Sequence, residues 1–130
     1  MEESTLILAH LLQLEKFYRK VSVHLKSEYF EYVTEDLIFT ALSEYHTKYN
    51  CLPTKDELTV LIQSKNGLPE NLVSATNEAL DDLFDLNCKE TSFEAMFDMA
   101  QAFAKDRALK LALAESLKIM DGTVKNVQQR

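Results

Sequence analysis

The chain has 130 residues, with 14 Lys and Arg against 21 Asp and Glu, a net charge of −7, and 46% hydrophobic residues. That is one domain with apolar content enough for a core. It holds two Gly and two Pro where average usage would give about nine and six; phosphate-cradling loops need clustered glycines, so with Gly67 and Gly122 far apart Walker A and dinucleotide-binding loops are excluded, and all-β folds are disfavoured.

In chain order, Ser4 is placed to cap a first helix carrying Leu6, Ile7, Leu8, Leu11, Leu12 and Leu14. Phe17, Val21 and Leu25 recur at i, i+4, i+8 and predict a short second helix. An aromatic link with Tyr29, Phe30 and Tyr32 follows. Thr34 then opens a helix to about Tyr49, ended by Asn50-Cys51-Leu52-Pro53, since proline disfavours helical dihedrals in the residue before it. Thr54-Lys55-Asp56-Glu57 reads as a capping box, in which hydroxyl and carboxylate reciprocally satisfy helix-start N–H groups. Its helix, with Leu58, Leu61 and Ile62, is expected to stop at Asn66-Gly67.

Pro69 starts the next predicted helix, to about Leu86, with Leu72, Ala79, Leu80, Leu83 and Phe84 on one stripe. Thr91-Ser92-Phe93-Glu94 is a second capping-box pattern, and the helix after it is expected to run to Met120 and stop at Asp121-Gly122. Its roughly 29 residues give about 43 Å at 1.5 Å per residue, against a diameter near 36 Å for a compact chain of this size. It must project or kink. Apolar residues occupy more than one of its faces, so it needs two neighbours: the Pro69–Leu86 helix as a hairpin partner, and either a second copy of the chain or, if it is the central helix of a monomeric bundle, another helix of the same chain. The expected architecture is therefore all-α, a small bundle over 1–67 and a long antiparallel hairpin over 68–122, with 123–130 as the start of a linker or a tail. The contacts between copies are assigned to Phe93, Met96, Phe97, Phe103, Leu109, Leu113 and Leu117, some of which must instead serve the core of one chain.

Charge is uneven. Residues 66–98 carry one basic and eight acidic groups, and residues 99–130 six basic and three acidic. Glu78, Asp81, Asp82 and Asp85 fall near one helix face, a possible docking face for a basic partner. The acidic start lacks the basic region of a secretory signal, the apolar run Leu6–Leu12 is too short to span a membrane, and Cys51 and Cys88 read as buried reduced thiols, which together predict a cytoplasmic protein without membrane contact.

Chemistry is sparse. A di-metal bundle needs Glu-x-x-His on two helices, and none occurs; His10, His24 and His46 sit on separate elements. No Gly-x-Ser-x-Gly elbow is present, and neither Cys sits in a flank basic enough to lower its pKa. No catalytic residue, metal or cofactor is expected. Lys16, Arg19, Lys20 and Lys26 form the best basic cluster, offset by Glu15 and Glu28. With Tyr29, Tyr32, Tyr45 and Tyr49 they support a single-stranded DNA-binding alternative, but no direct nucleic-acid contact is expected.

The succession Leu8, Leu11-Leu12, Phe17, Val21, Leu25, Tyr29-Phe30, Leu37-Ile38-Phe39, Leu42, Tyr45, Tyr49, Pro53-Thr54, Leu58 and Leu61 resembles the N-terminal domain of DnaB-type replicative helicases. The segments Ser27-Glu28-Tyr29-Phe30-Glu31 and Glu44-Tyr45-His46 are most similar to the T-even-like bacteriophage branch, and Ala104-Lys105-Asp106-Arg107-Ala108-Leu109 resembles the family's last helix before its linker. The resemblance implies a helical bundle plus hairpin in which subunits pair, forming a collar on a hexameric ring and contributing to primase docking. It also implies that the ATPase motor domain follows, so that this chain would be a fragment, or a stand-alone homologue, without unwinding activity. A stand-alone acidic helical adaptor of a phage is the other alternative.

Overall fold

A computed structural model describes the backbone of residues 1–128 and the side chains of residues 1–120. The described residues are all-helical: α1 (Glu3–Gln13), α2 (Glu15–Val21), α3 (Val33–Tyr49), α4 (Lys55–Gln63), α5 (Glu70–Asp85) and α6 (Phe93–Gln128), with short 3-10 turns at Ser22–His24 and Ser27–Tyr29. The all-α expectation holds.

The centre of the bundle is α1. Ile7, Leu8, Ala9, His10, Leu11 and Leu12 are all buried, because α2, α3, α5 and α6 each pack on it. Around it close Phe17 and Val21 from α2, Ile38, Ala41 and Leu42 from α3, Leu58 and Ile62 from α4, and Leu80 and Leu83 from α5. Leu14, with extended backbone, separates α1 from α2 and lets the chain change direction without a glycine.

Local signals placed most boundaries. The Thr54–Glu57 capping box forms in full, Glu57 N–H donating to Thr54 Oγ1 (3.1 Å) and Thr54 N–H to Glu57 Oε1 (3.0 Å). Asn50 ends α3 in the left-handed region at φ 58°, which asparagine tolerates better than most residues. Gly67 has φ 82°, but it sits in the loop past α4, which ends at Gln63. Three expected caps differ. Thr34 lies inside α3, which starts at Val33 after Tyr32 with no side-chain cap. Ser4 lies inside α1, where its hydroxyl donates to Glu35 Oε1 (2.7 Å) instead of capping. At α6 the cap is Ser92, whose Oγ accepts from Ala95 N–H (3.4 Å), one residue beyond the Thr91 pattern.

The hairpin is corrected. α5 does not run along α6; it packs on α1, α3 and α4 as a member of the bundle. Thr76, Leu80 and Leu83 turn its apolar stripe into the core, and Gln13 at the end of α1 donates from Nε2 to the Leu83 and Leu86 carbonyls, 2.8 Å each. Those bonds satisfy carbonyls that the end of a helix leaves open. The bundle thus extends through α5, and α6 is the single element that leaves it. Nor does α6 stop at Asp121-Gly122: it continues to Gln128, through much of the expected linker, while residues 129–130 lie outside the described residues. No helix among the described residues is long and apolar enough to cross a membrane.

Candidate functional site

The first third of α6 is a root. Met96, Ala100, Phe103 and Ala104, at i, i+4, i+7, i+8, are buried against α1, α2 and the Ser27–Tyr29 turn. Phe30 stacks between Phe39 and Phe103, with ring centroids 5.1 and 5.7 Å away. Arg107 finishes the root by pairing with Glu31 and lying over the Phe103 ring.

Beyond the root the helix leaves the core. Every residue from Ala108 to Met120 is exposed, including Leu109 (60%), Leu113 (56%), Leu117 (61%) and Met120 (62%). At 100° per residue these four fall within about 80° of one another, a continuous stripe. Scattered exposed leucines need no explanation, but a stripe on a projecting helix does.

The seven residues assigned to the interface therefore divide. Leu109, Leu113 and Leu117 are open. Met96 (2%) and Phe103 (4%) belong to the core of one chain. Phe93 and Phe97 are partly buried and already covered: Lys16 Nζ lies 5.5 Å from the Phe93 centroid, Lys20 Nζ 6.0 Å from that of Phe97, and Phe17 meets Phe93 edge-on. Sequence periodicity finds apolar positions; it does not say which the same chain will cover.

The acidic positions also separate. Glu78, Asp81, Asp82 and Asp85 are all exposed on α5, but Asp81 pairs with Lys55 of α4 at 2.8 Å. Of the basic cluster, Arg19 is engaged by Glu15 (2.8 Å) and by the Asn50 carbonyl (2.8 Å). The tyrosines scatter: Tyr29 is buried, Tyr32 donates to Glu2 (2.6 Å), and Tyr45 and Tyr49 lie together with ring centroids 4.7 Å apart.

A second apolar surface escaped the sequence reading. Tyr45 and Tyr49 at the end of α3 and Val60 and Leu61 of α4 form a groove of about 580 Å³ with Asp56 and Glu57 on its rim. Of the apolar residues of α4, Leu58 and Ile62 take the core face, leaving Val60 and Leu61 outward. A nine-residue helix offers too few turns for periodicity to choose between adjacent faces.

The histidines lie apart from one another. His10 is buried, with Nδ1 2.8 Å from the Leu6 carbonyl and Nε2 without a partner. His46 Nε2 meets Glu15 at 2.9 Å. Cys51, expected buried, is exposed, whereas Cys88 is buried and its thiol pKa is pushed up by that burial. Among the described residues, no three His, Cys, Asp or Glu side chains converge on a point. Comparisons with protein-family models, with curated proteins and with solved structures each return no match.

Proposed function

We propose that this chain is an assembly module, the N-terminal oligomerisation and primase-docking domain of a DnaB-type phage replicative helicase, with the ATPase motor in a separate domain and with itself, that motor and the primase as its partners. The fragment carries no catalysis of its own; its work is to hold copies at a fixed spacing in the cytoplasm of a bacterial host. The observation that supports the reading is the Leu109–Leu113–Leu117–Met120 stripe, exposed on a helix whose root is locked into the core. Water-facing leucines on a rigid element gain about 1.5–3 kcal/mol each when a partner buries them, and the firm root means little ordering entropy is lost on docking. The helicase identity and the primase rest on the sequence resemblance.

Sedimentation equilibrium at tens of micromolar tests the assembly. The wild-type chain is expected to self-associate. Leu113→Asp, at an exposed site, is expected to weaken association at least about tenfold, the equivalent of roughly 1.4 kcal/mol, with unchanged helical circular dichroism. A wild-type chain that stays monomeric throughout would refute the proposal.

A further inference from the structure

The groove between α3 and α4 has the shape and charge to receive a helix. Its walls are two packed helices, its floor is Tyr45, Tyr49, Val60 and Leu61, and Val60 (63%) and Tyr49 (55%) stand open to water. An adjoining hollow shares Tyr45, Tyr49 and Leu61 and lengthens it past Glu44 and Lys48. The Tyr45 hydroxyl is fixed by a hydrogen bond to Glu57, so the floor is largely preformed. Lys65 is paired with Glu44 (3.5 Å) and Lys48 lies over the Tyr49 ring (5.3 Å), and the charged residues that line the groove itself are Asp56 and Glu57. Carboxylates beside the aromatic floor repel a phosphate backbone, so stacked bases are a poor occupant.

The complementary object is on the same chain. Residues 108–120, the exposed part of α6, carry Lys110 and Lys118 against Glu115 around the leucine stripe. Within one molecule α6 packs on α1, α2 and the Ser27–Tyr29 turn, none of which lines the groove. We propose that the exposed half of α6 from one copy lies in the α3–α4 groove of a second copy, leucines on the tyrosine floor and lysines toward Asp56 and Glu57. This helix-in-groove contact rests on the reading that α6 mediates self-association, and names what it meets. It joins two different surfaces, so it closes as a reciprocal dimer or a ring, or propagates as a chain.

A mixing experiment separates this from helix-on-helix pairing. Val60→Lys puts a cation in the groove and leaves α6 intact; Leu113→Asp does the reverse. Both positions are exposed, and circular dichroism checks that both variants remain folded. By sedimentation each variant alone is expected to associate at least tenfold more weakly than wild type, whereas their equimolar mixture associates more tightly than either, because one intact α6 meets one intact groove. A Val60→Lys chain that associates like wild type, through α6 alone, overturns the groove and leaves the assembly proposal standing. A mixture no tighter than its components also overturns it, and a monomeric wild type overturns both.

Discussion

Glu15 shows what a single side chain contributes beyond its place in a pattern. In the sequence it is a negative charge beside a basic cluster; in the fold it is a clasp. Its Oε1 meets His46 Nε2 (2.9 Å) and Arg19 Nη2 (2.8 Å), and its Oε2 accepts the Leu52 N–H (3.1 Å). The start of α2 is thereby tied to the end of α3 and the turn after it, while the His46 ring packs 4.3 Å from Tyr18. Burial raises the Glu15 pKa, but the hydrogen bond and charge of His46, with Arg19, outweigh it and hold the carboxyl below its usual 4.5. A carboxyl with a lower pKa folded than unfolded adds stability above its unfolded pKa and loses it as the pH falls through the folded one. Glu15→Gln is thus expected to lower stability to urea at neutral pH by about 0.5–1 kcal/mol, discounted for a partly exposed group, and the gap to wild type should narrow as the pH drops below 4.5. A gap independent of pH would assign Glu15 a packing role instead. The Arg19 pair, at i, i+4, is within reach of sequence, but the His46 and Leu52 contacts are not, because they lie 31 and 37 positions away. The same distance hid Glu35, which is buried and braces Ser4 and Thr5 across from α1.

At the level of elements, legibility followed the range of the interaction. The Thr54–Glu57 box spans four residues and needs no partner outside them, so sequence placed it. Removing the hydroxyl as Thr54→Ala is expected to cost about 1 kcal/mol, read as a lower urea midpoint at unchanged slope; no change would mean water caps α4 equally well. The partner of α5 was misread for the opposite reason. An amphipathic stripe says that one face will be buried and is silent about the neighbour. In the fold that face is buried through Thr76, Leu80 and Leu83, and Gln13 on α1 fastens the far end of α5 to the bundle by two hydrogen bonds. Sequence offered no signal for it. The start of α6 shifted by one residue because Thr91 and Ser92 are both competent caps.

The whole molecule has two regimes of stability in one chain. Every helix of the bundle reaches the core around α1, while residues 108–120 of α6 are exposed and outside that core. Deleting residues 109–130 is accordingly expected to lower the helical circular dichroism but leave the thermal midpoint within about 2 °C, measured where the chain is monomeric. A larger drop would place the tip of α6 inside the cooperative unit. Sequence length anticipated this division: a helix longer than the body must project. It did not show that Met96 and Phe103 would be spent on the root, since both fit the same apolar belt as the exposed leucines.

The unbroken backbone of α6 also sets an angular phase. Stripe and root lie on one helix, so the azimuth at which Leu109, Leu113 and Leu117 face outward is dictated by Met96, Ala100 and Phe103 several turns away. One residue inserted between them would swing the stripe by about 100° and advance it about 1.5 Å, whereas seven would nearly restore its heading. The molecule is therefore keyed: its outer contact can be turned away from a partner without altering any residue that makes the contact.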